Sequence, residues 1–379
     1  MFLYSHVCNL NVGTGNLIFT MFVAEMILFM EEEVYANDDV YNDSIRSNCR
    51  NKHELCAFWA SIGECDANPS YMKINCAPAC RTCRQLDVEY RCHMPEDVRA
   101  ASAFYEGVRN LNDMFESFIS GEGDGGFAQQ FHPMIHSAPT GYRQNLTMSS
   151  YDNEDDDIAN LTFGNDFLVD DRYVEIGGPW IVTFENFLSG KEADHLIDMG
   201  YVRGYERSQD VGAVKFDGTY DGIQSRGRTS ENAWCQDECE EADLTKLVTD
   251  RIARVTGIPS ENSEHLQILK YEIGQFYNQH HDYIEYQAER AVGPRVLTFF
   301  LYLSDVDEGG ETKFNKLGLT IKPKKGRALL WPSVLNRNPT KKDYRTDHQA
   351  MPVVRGRKFA ANAWLHLREF KDQNNNGCA

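Results

Sequence analysis

The sequence predicts an α+β chain whose C-terminal half is a β-sandwich or jelly roll covered by helices, with a small crosslinked module ahead of it. Three observations carry this. Residues 189–201 and 243–256 place apolar side chains at helical spacing, the first behind a Ser cap and the second through Leu244, Leu247, Val248, Ile252 and Val255. After Glu264 the chain turns to short strand-like runs (LQILKYEIG, RVLTFFLYLSDV, LTIKP, RALLW, KFAANAWLHL) broken by Gly, Pro and Asp. Many short strands behind two helices bury their faces most simply as layered sheets with a helical cover. Six of the eleven cysteines lie between Cys49 and Cys83.

Composition narrows the function. The 379 residues carry a formal net charge of −19, which repels phosphate backbones and argues against a nucleic-acid partner. Hydrophobic content of 42% describes a globular chain. Residues 1–40 read as a signal peptide or a membrane anchor. The stretch 17–30 is mostly apolar and Val34-Tyr35-Ala36 offers a cleavage site, although Glu25 interrupts the run and no Lys or Arg precedes it. Sequons at Asn42, Asn145 and Asn160, with the cysteine cluster, point to the lumen of the endoplasmic reticulum or secretory pathway.

Residues 41–85 form the cysteine module. So short a segment cannot bury enough apolar surface to fold unaided, so crosslinks substitute for a core. Six cysteines admit about fifteen pairings, and spacing alone does not choose among them. Zinc is the rival reading, since Cys80-x-x-Cys83 is half a zinc site, but a second close pair is lacking. Residues 86–175 read as an acidic linker region with a helical stretch over 98–119, a Gly-rich break at 121–126 and an acidic run at 152–157. Residues 176–371 form the main domain, and 372–379 a tail.

The stretch NCRNKHELCAFWASIGECDANPSYMKINCAPACRTC resembles the ShKT domain in cysteine spacing and in Phe58-Trp59-Ala60, Gly63-Glu64-Cys65 and Asn68-Pro69-Ser70-Tyr71-Met72. That resemblance implies pairing of Cys49 with Cys83, Cys56 with Cys76, and Cys65 with Cys80. Channel-blocking members use Lys followed directly by Tyr, whereas this chain has Tyr71-Met72-Lys73. The expectation is therefore an accessory module that binds a partner or orients the main domain.

In the main domain the sharpest signal is Gln279-His280-His281-Asp282. On an extended segment alternate side chains share a face, so His280 and Asp282 point together and His281 away. Such a pair plus one distant histidine makes a 2-His-1-carboxylate triad, which leaves positions open on iron(II). The distant candidate is His348. Ten residues later Lys358 stands on an apolar strand, where a deeply placed ammonium needs an anion.

With those residues in order, 176–371 resembles a prolyl 4-hydroxylase catalytic domain. The matching segments include PWIVTFENFLSGKEADHLI, SRGRTSENAW, SEHLQILKYEIGQFYNQHHDY, GPRVLTFFLYLSDVDEGGETKF and DHQAMPVVRGRKFAANAWLH. The resemblance implies a double-stranded β-helix (jelly roll) with flanking helices. It implies iron(II) held by His280, Asp282 and His348, and 2-oxoglutarate held by Lys358 with Tyr277 and Thr312. It places substrate contacts at Arg295, Trp364, His366, Glu264 and the loop around Arg228 and Ser230, and gives Trp331 a packing role. It further implies O2 as cosubstrate, ascorbate as reductant, and a proline-rich or collagen-like polypeptide as substrate. Asn315 and Met351 depart from the family pattern without removing a ligand. Region 86–175 is too short and irregular for a separate peptide-binding domain, so no disulfide-isomerase subunit is expected. The competing readings are a lysyl or other protein hydroxylase, since the triad does not encode the substrate side chain, and a non-catalytic secreted binding protein.

Overall fold

The computed structural model describes residues 43–93, 111–122, 125–139, 177–336 and 338–379. The expected leader or anchor, the three sequons, Cys8 and the acidic run 152–157 lie outside them. Among the described residues no helix is long and apolar enough to cross a membrane.

The chain forms two compact units. The smaller consists of short helices, among them Asp43–Asn48, Cys56–Ser61 and Pro69–Asn75. Its buried apolar residues amount to two small clusters, Ile45, Ile74, Ala77 and Leu86 in one and Cys56, Met72 and Cys76 in the other. Disulfides join Cys49 to Cys83, Cys56 to Cys76 and Cys65 to Cys80, with Cα separations of 5.5, 5.2 and 5.7 Å. These bridges occupy the place of a core that so short a segment lacks.

The larger unit is built on an eight-stranded antiparallel sheet in the order Pro133–Pro139, Gly177–Phe184, Ala328–Pro332, Arg295–Tyr302, Lys358–His366, Gln267–Tyr271, Glu231–Trp234, Glu206–Arg207. A four-stranded sheet faces it, in the order Leu319–Ile321, Thr312–Phe314, His348–Ala350, Tyr277–His280. The central strands read as unbroken apolar runs because both of their faces are buried. Phe299, Leu301, Ala328, Leu330, Ala361 and Ala363 meet the helices on one side. Phe300, Tyr302, Leu329, Trp331 and Ala360 meet the small sheet on the other. This division follows from the two-residue period of a strand. It assigns Lys358, Asn362, Trp364 and His366 to the inner face, alternating with Phe359, Ala361, Ala363 and Leu365 outside.

Two helices cover the outer face as the periodicity indicates. Helix Gly190–Arg203 begins at a complete capping box, in which Ser189 accepts from the Glu192 amide and the Glu192 carboxylate accepts from the Ser189 amide. Helix Asp243–Thr256 stops at Gly257, which adopts a left-handed conformation (φ 68°). Val248, Ile252 and Val255 are buried, but Leu247 faces solvent.

Two segments differ from the sequence reading. Region 86–175 is not a linker throughout: of the helical stretch expected over 98–119, residues 111–119 are helical and 98–110 lie outside the described residues. Helix Leu111–Ser120 buries Met114, Phe115 and Phe118 in the main core, with Phe115 stacked on Trp180 at 5.2 Å, and strand Pro133–Pro139 extends the large sheet by pairing with Gly177–Phe184. The tail is not free, because Cys378 is buried and bonded to Cys92 across 286 residues. Cys235 and Cys239 also pair, at a Cα separation of 5.0 Å. A pair four residues apart is awkward to bridge within one helix, but Cys235 precedes the helical turn Glu238–Glu241 that holds Cys239.

Replacing Cys378 by Ser should lower unfolding free energy by about 2–4 kcal/mol, measured by denaturant unfolding under non-reducing conditions. An unchanged midpoint would show that the bridge contributes nothing to stability.

Candidate active site

The small sheet brings two histidines face to face, because strand Tyr277–His280 pairs with His348–Ala350 so that His280 lies opposite His348. Asp282, two residues beyond His280, completes a group whose ligand atoms all lie within 4.8 Å of one another. The imidazole centroids are 4.3 Å apart, and Asp282 Oδ2 is 3.6 Å from His348 Nε2. Backbone carbonyls fix the tautomers. His280 Nδ1 donates to Asn278 O at 2.8 Å and His348 Nδ1 to Thr346 O at 3.0 Å, so both Nε2 atoms are free to ligate. Thr298 Oγ1 donates to Asp282 Oδ2 at 2.6 Å, and the Trp331 ring stands edge-on to His348 at 4.8 Å.

Electrostatics put His280 and Asp282 in the charge states that metal binding needs. Burial pushes the Asp282 carboxyl up, but the neighbouring His348 and His280 and the Thr298 hydroxyl outweigh it and bring it to about 2. Burial, with His348 adding, takes His280 well below its usual value. His281 is turned elsewhere: its Nδ1 accepts from the Tyr283 amide and its Nε2 donates to Asp343 O at 2.9 Å. Two imidazoles and one carboxylate suit iron(II), and this is the metal-ligand cluster among the described residues.

Lys358 supplies an independent test of the cosubstrate. It is fully buried, and its Nζ has no hydrogen-bond partner. Tyr271, Phe300 and Tyr302 surround it with ring centroids at 5.1, 5.2 and 5.6 Å. Burial lowers its pKa to about 7, with Glu311 opposing. A sealed, unpaired ammonium fits a ligand that carries a carboxylate to it. Thr312 lines the same interior and accepts from the Tyr302 hydroxyl at 2.8 Å. Tyr302 was not among the sequence candidates, yet the alternation of Phe300 and Tyr302 with Leu301 was the signal that turns it inward. Tyr277 packs against the same inner cluster and lines the cleft, stacked on His280 at 3.6 Å with the Arg228 guanidinium over its ring at 4.6 Å.

An open cleft of about 650 Å3 leads to the triad, with His280, Asp282, Arg228, Arg295 and Trp364 in its wall. Arg295 Nε and Nη2 donate to the two oxygens of Glu264 at 2.5 and 3.0 Å, and the Arg295 guanidinium lies over the Trp364 ring at 3.8 Å. His366 is fully buried behind this pair, bonded through Nε2 to Glu264 Oε1 at 2.8 Å and through Nδ1 to Gly293 O at 2.9 Å. Burial raises the Glu264 carboxyl, but Arg295 and His366 prevail and hold it at about 2. Arg228 is held by Gln267 Oε1 at 2.9 Å and Gln209 O at 3.1 Å. The sequence-derived substrate set therefore divides. Arg228, Glu264, Arg295 and Trp364 reach the cleft wall. His366 supports Glu264 from behind, and Ser230 is buried against Ser208, to which it donates at 3.0 Å.

Comparison with known proteins agrees with this geometry. Residues 266–366 match the model of the 2OG-Fe(II) oxygenase superfamily, and residues 48–83 match the ShK domain-like family. Probable prolyl 4-hydroxylase 8 of Arabidopsis thaliana is 34% identical over 223 residues, which cover 53% of this chain and 73% of the relative. Prolyl 4-hydroxylase 5 of the same plant is 34% identical over 224 residues, covering 53% and 74%. A viral collagen prolyl hydroxylase from Paramecium bursaria Chlorella virus-1, solved as a 2OG complex, is 28% identical and superposes with a TM-score of 0.38 over 49% of this chain and 95% of its own. The extent of the plant matches makes the assignment: this chain belongs to the prolyl 4-hydroxylase family, with an ShK domain ahead of its 2-oxoglutarate- and iron(II)-dependent oxygenase fold.

Proposed function

We propose that the protein hydroxylates peptidyl proline to 4-hydroxyproline in proline-rich polypeptides of the secretory pathway, consuming 2-oxoglutarate and O2 and releasing succinate and CO2. The observation that carries this reading is the joint presence, on the inner faces of two opposed sheets, of the His280–Asp282–His348 cluster and the unpaired Lys358 ammonium. The first fits the metal and the second fits the far carboxylate of a dicarboxylate. Proline as the target comes from the plant relatives, which are named prolyl 4-hydroxylases.

Bound iron(II) would supply oxygen activation coupled to decarboxylation of the oxo-acid, and ascorbate would restore metal oxidised without product. The chain supplies position and exclusion of water. His280, Asp282 and His348 would hold the metal, with Thr298 orienting Asp282. Lys358, with Thr312 and Tyr302 beside it, would fix the cosubstrate in a dry interior. Arg295, braced by Glu264 and stacked on Trp364, offers a rigid cationic and aromatic surface to the incoming peptide.

The five disulfides among the described residues support an oxidising lumen, with the N-terminal segment as leader or membrane anchor. Absorption of Leu111–Ser120 and Pro133–Pro139 into the catalytic fold leaves still less of region 86–175 for a separate peptide-binding domain, which supports action without a disulfide-isomerase subunit.

The direct test is succinate release by protein supplied with iron(II), 2-oxoglutarate, ascorbate and a proline-rich peptide, against a proline-free control. The expected result is proline-dependent succinate with one oxygen gained by the peptide. Iron binding without turnover on any proline peptide would refute the substrate assignment. His348→Ala should abolish both iron binding and turnover while leaving the melting transition in place, and retained hydroxylation would remove His348 from the ligand set.

Lys358 gives a test that needs no turnover. Its pKa of about 7 means the cosubstrate-free protein loses this charge as pH rises through 7, so binding above that pH draws in a proton and weakens. Calorimetry in buffers of different ionisation enthalpy should show this uptake at pH 8, and equal heats would exclude it. Lys358→Met should eliminate 2-oxoglutarate binding yet stabilise the ligand-free protein by about 1–3 kcal/mol, because it removes an unsatisfied buried group.

A further inference from the structure

We propose that Trp234 is a specificity-determining residue, an aromatic platform for proline rings several residues away from the hydroxylated one. The inference rests on the proline reading above and deepens it, since it concerns how the same cleft reads its substrate beyond the target residue.

Trp234 ends strand Glu231–Trp234 and lies in the cleft wall that also holds His280, Asp282 and Trp364. It pairs with Gln267, and Gln267 pairs with Asn362, so the three share the inner face of the large sheet with Lys358 and Trp364. The residue is 37% exposed, the most exposed of the large sheet's inner-face aromatic residues, while Trp364, with ring centroids 6.3 Å apart, is almost entirely covered. A tryptophan left this open on a concave wall has an apolar face available for a partner.

The platform is braced where it would otherwise fray. Arg203 Nε donates to the Trp234 carbonyl at 3.3 Å, and Arg203 Nη1 is itself held by Asp237 at 2.9 Å. The next residue, Cys235, is buried and bonded to Cys239. An exposed side chain on an immobilised backbone is the arrangement of a recognition surface, because little entropy is lost when a ligand covers it.

Spacing identifies what would lie there. Trp234 lines up through Gln267 and Asn362 with Phe300, so Thr298, which bonds Asp282, sits three strands away and two residues along. Three inter-strand spacings combined with two residues of strand are about 16 Å. A polyproline II segment advances about 3.1 Å per residue, so about five residues separate a chain held at the triad from one resting on Trp234. Proline-rich segments of this conformation dock by laying their rings against aromatic faces, at low entropic cost because they are already extended.

The experiment compares wild type, Trp234→Ala and Trp234→Tyr with proline oligomers of about four and about twelve residues, and with a long peptide whose single proline is flanked by alanines. Binding is read by anisotropy of labelled peptide, and KM by succinate release. Wild type should favour the long oligomer about tenfold over the short one, and Trp234→Ala should lose that preference. KM for the short oligomer and binding of 2-oxoglutarate should stay unchanged in both variants, and Trp234→Tyr should recover most of the preference. If Trp234→Ala retains 2-oxoglutarate binding and handles both oligomers as wild type does, the platform is refuted while proline hydroxylation stands. If the alanine-flanked peptide shows the same dependence on Trp234, proline recognition at this position is refuted. Wild type that neither binds nor hydroxylates any proline peptide overturns the underlying activity instead, and this inference with it.

Discussion

The ammonium of Lys358, sealed from water and without a partner of its own, is the constraint around which the catalytic half is arranged. Keeping a charge there in the absence of ligand costs free energy, and the protein meets that cost by softening it: aromatic faces surround the group and its proton is loosely held. The large sheet must therefore be buried on both faces. Its outer face is covered by helices, Leu111–Ser120 among them, and its inner face by a second sheet that also carries the histidines. The metal cluster and the ammonium are thus consequences of one packing solution, in which the small sheet both closes the interior and delivers two ligands from adjacent strands.

Much of this was legible in the sequence because the governing periodicities are short. The Ser189 cap, the alternation in the KFAANAWLHL run and the His280-x-Asp282 spacing each encode direction within a few residues. What could not be read depends on distant chain. Strand Pro133–Pro139 is an edge strand defined only by its neighbour, and helix Leu111–Ser120 earns its place through Trp180, almost seventy residues on. The partner of Cys378 lies across the entire fold, and no local pattern names it. Nor does His366 announce that it stands behind Glu264 instead of in the cleft, because burial at that position comes from Gly293 and Phe370.

The two units solve the same problem by opposite means. In the ShK domain three bridges make up for a core reduced to two small buried clusters. In the oxygenase fold the core is extensive, and its bridges act at particular places: one secures the backbone beside Trp234 and one gathers in the C-terminal segment. Crosslinks in the first case make folding possible, whereas in the second they hold a completed fold in one arrangement.

The Cys92–Cys378 bridge also imposes an order of events during synthesis. Cys92 leaves the ribosome before any strand of the large sheet, and Cys378 only after the last of them. The thiol of Cys92 must therefore wait, through translation of the whole oxygenase fold, for a partner that arrives last. Its oxidation to the correct sulfur thus reports that the chain between them has been made, and a premature partner among the earlier cysteines would have to be exchanged before the domain could close.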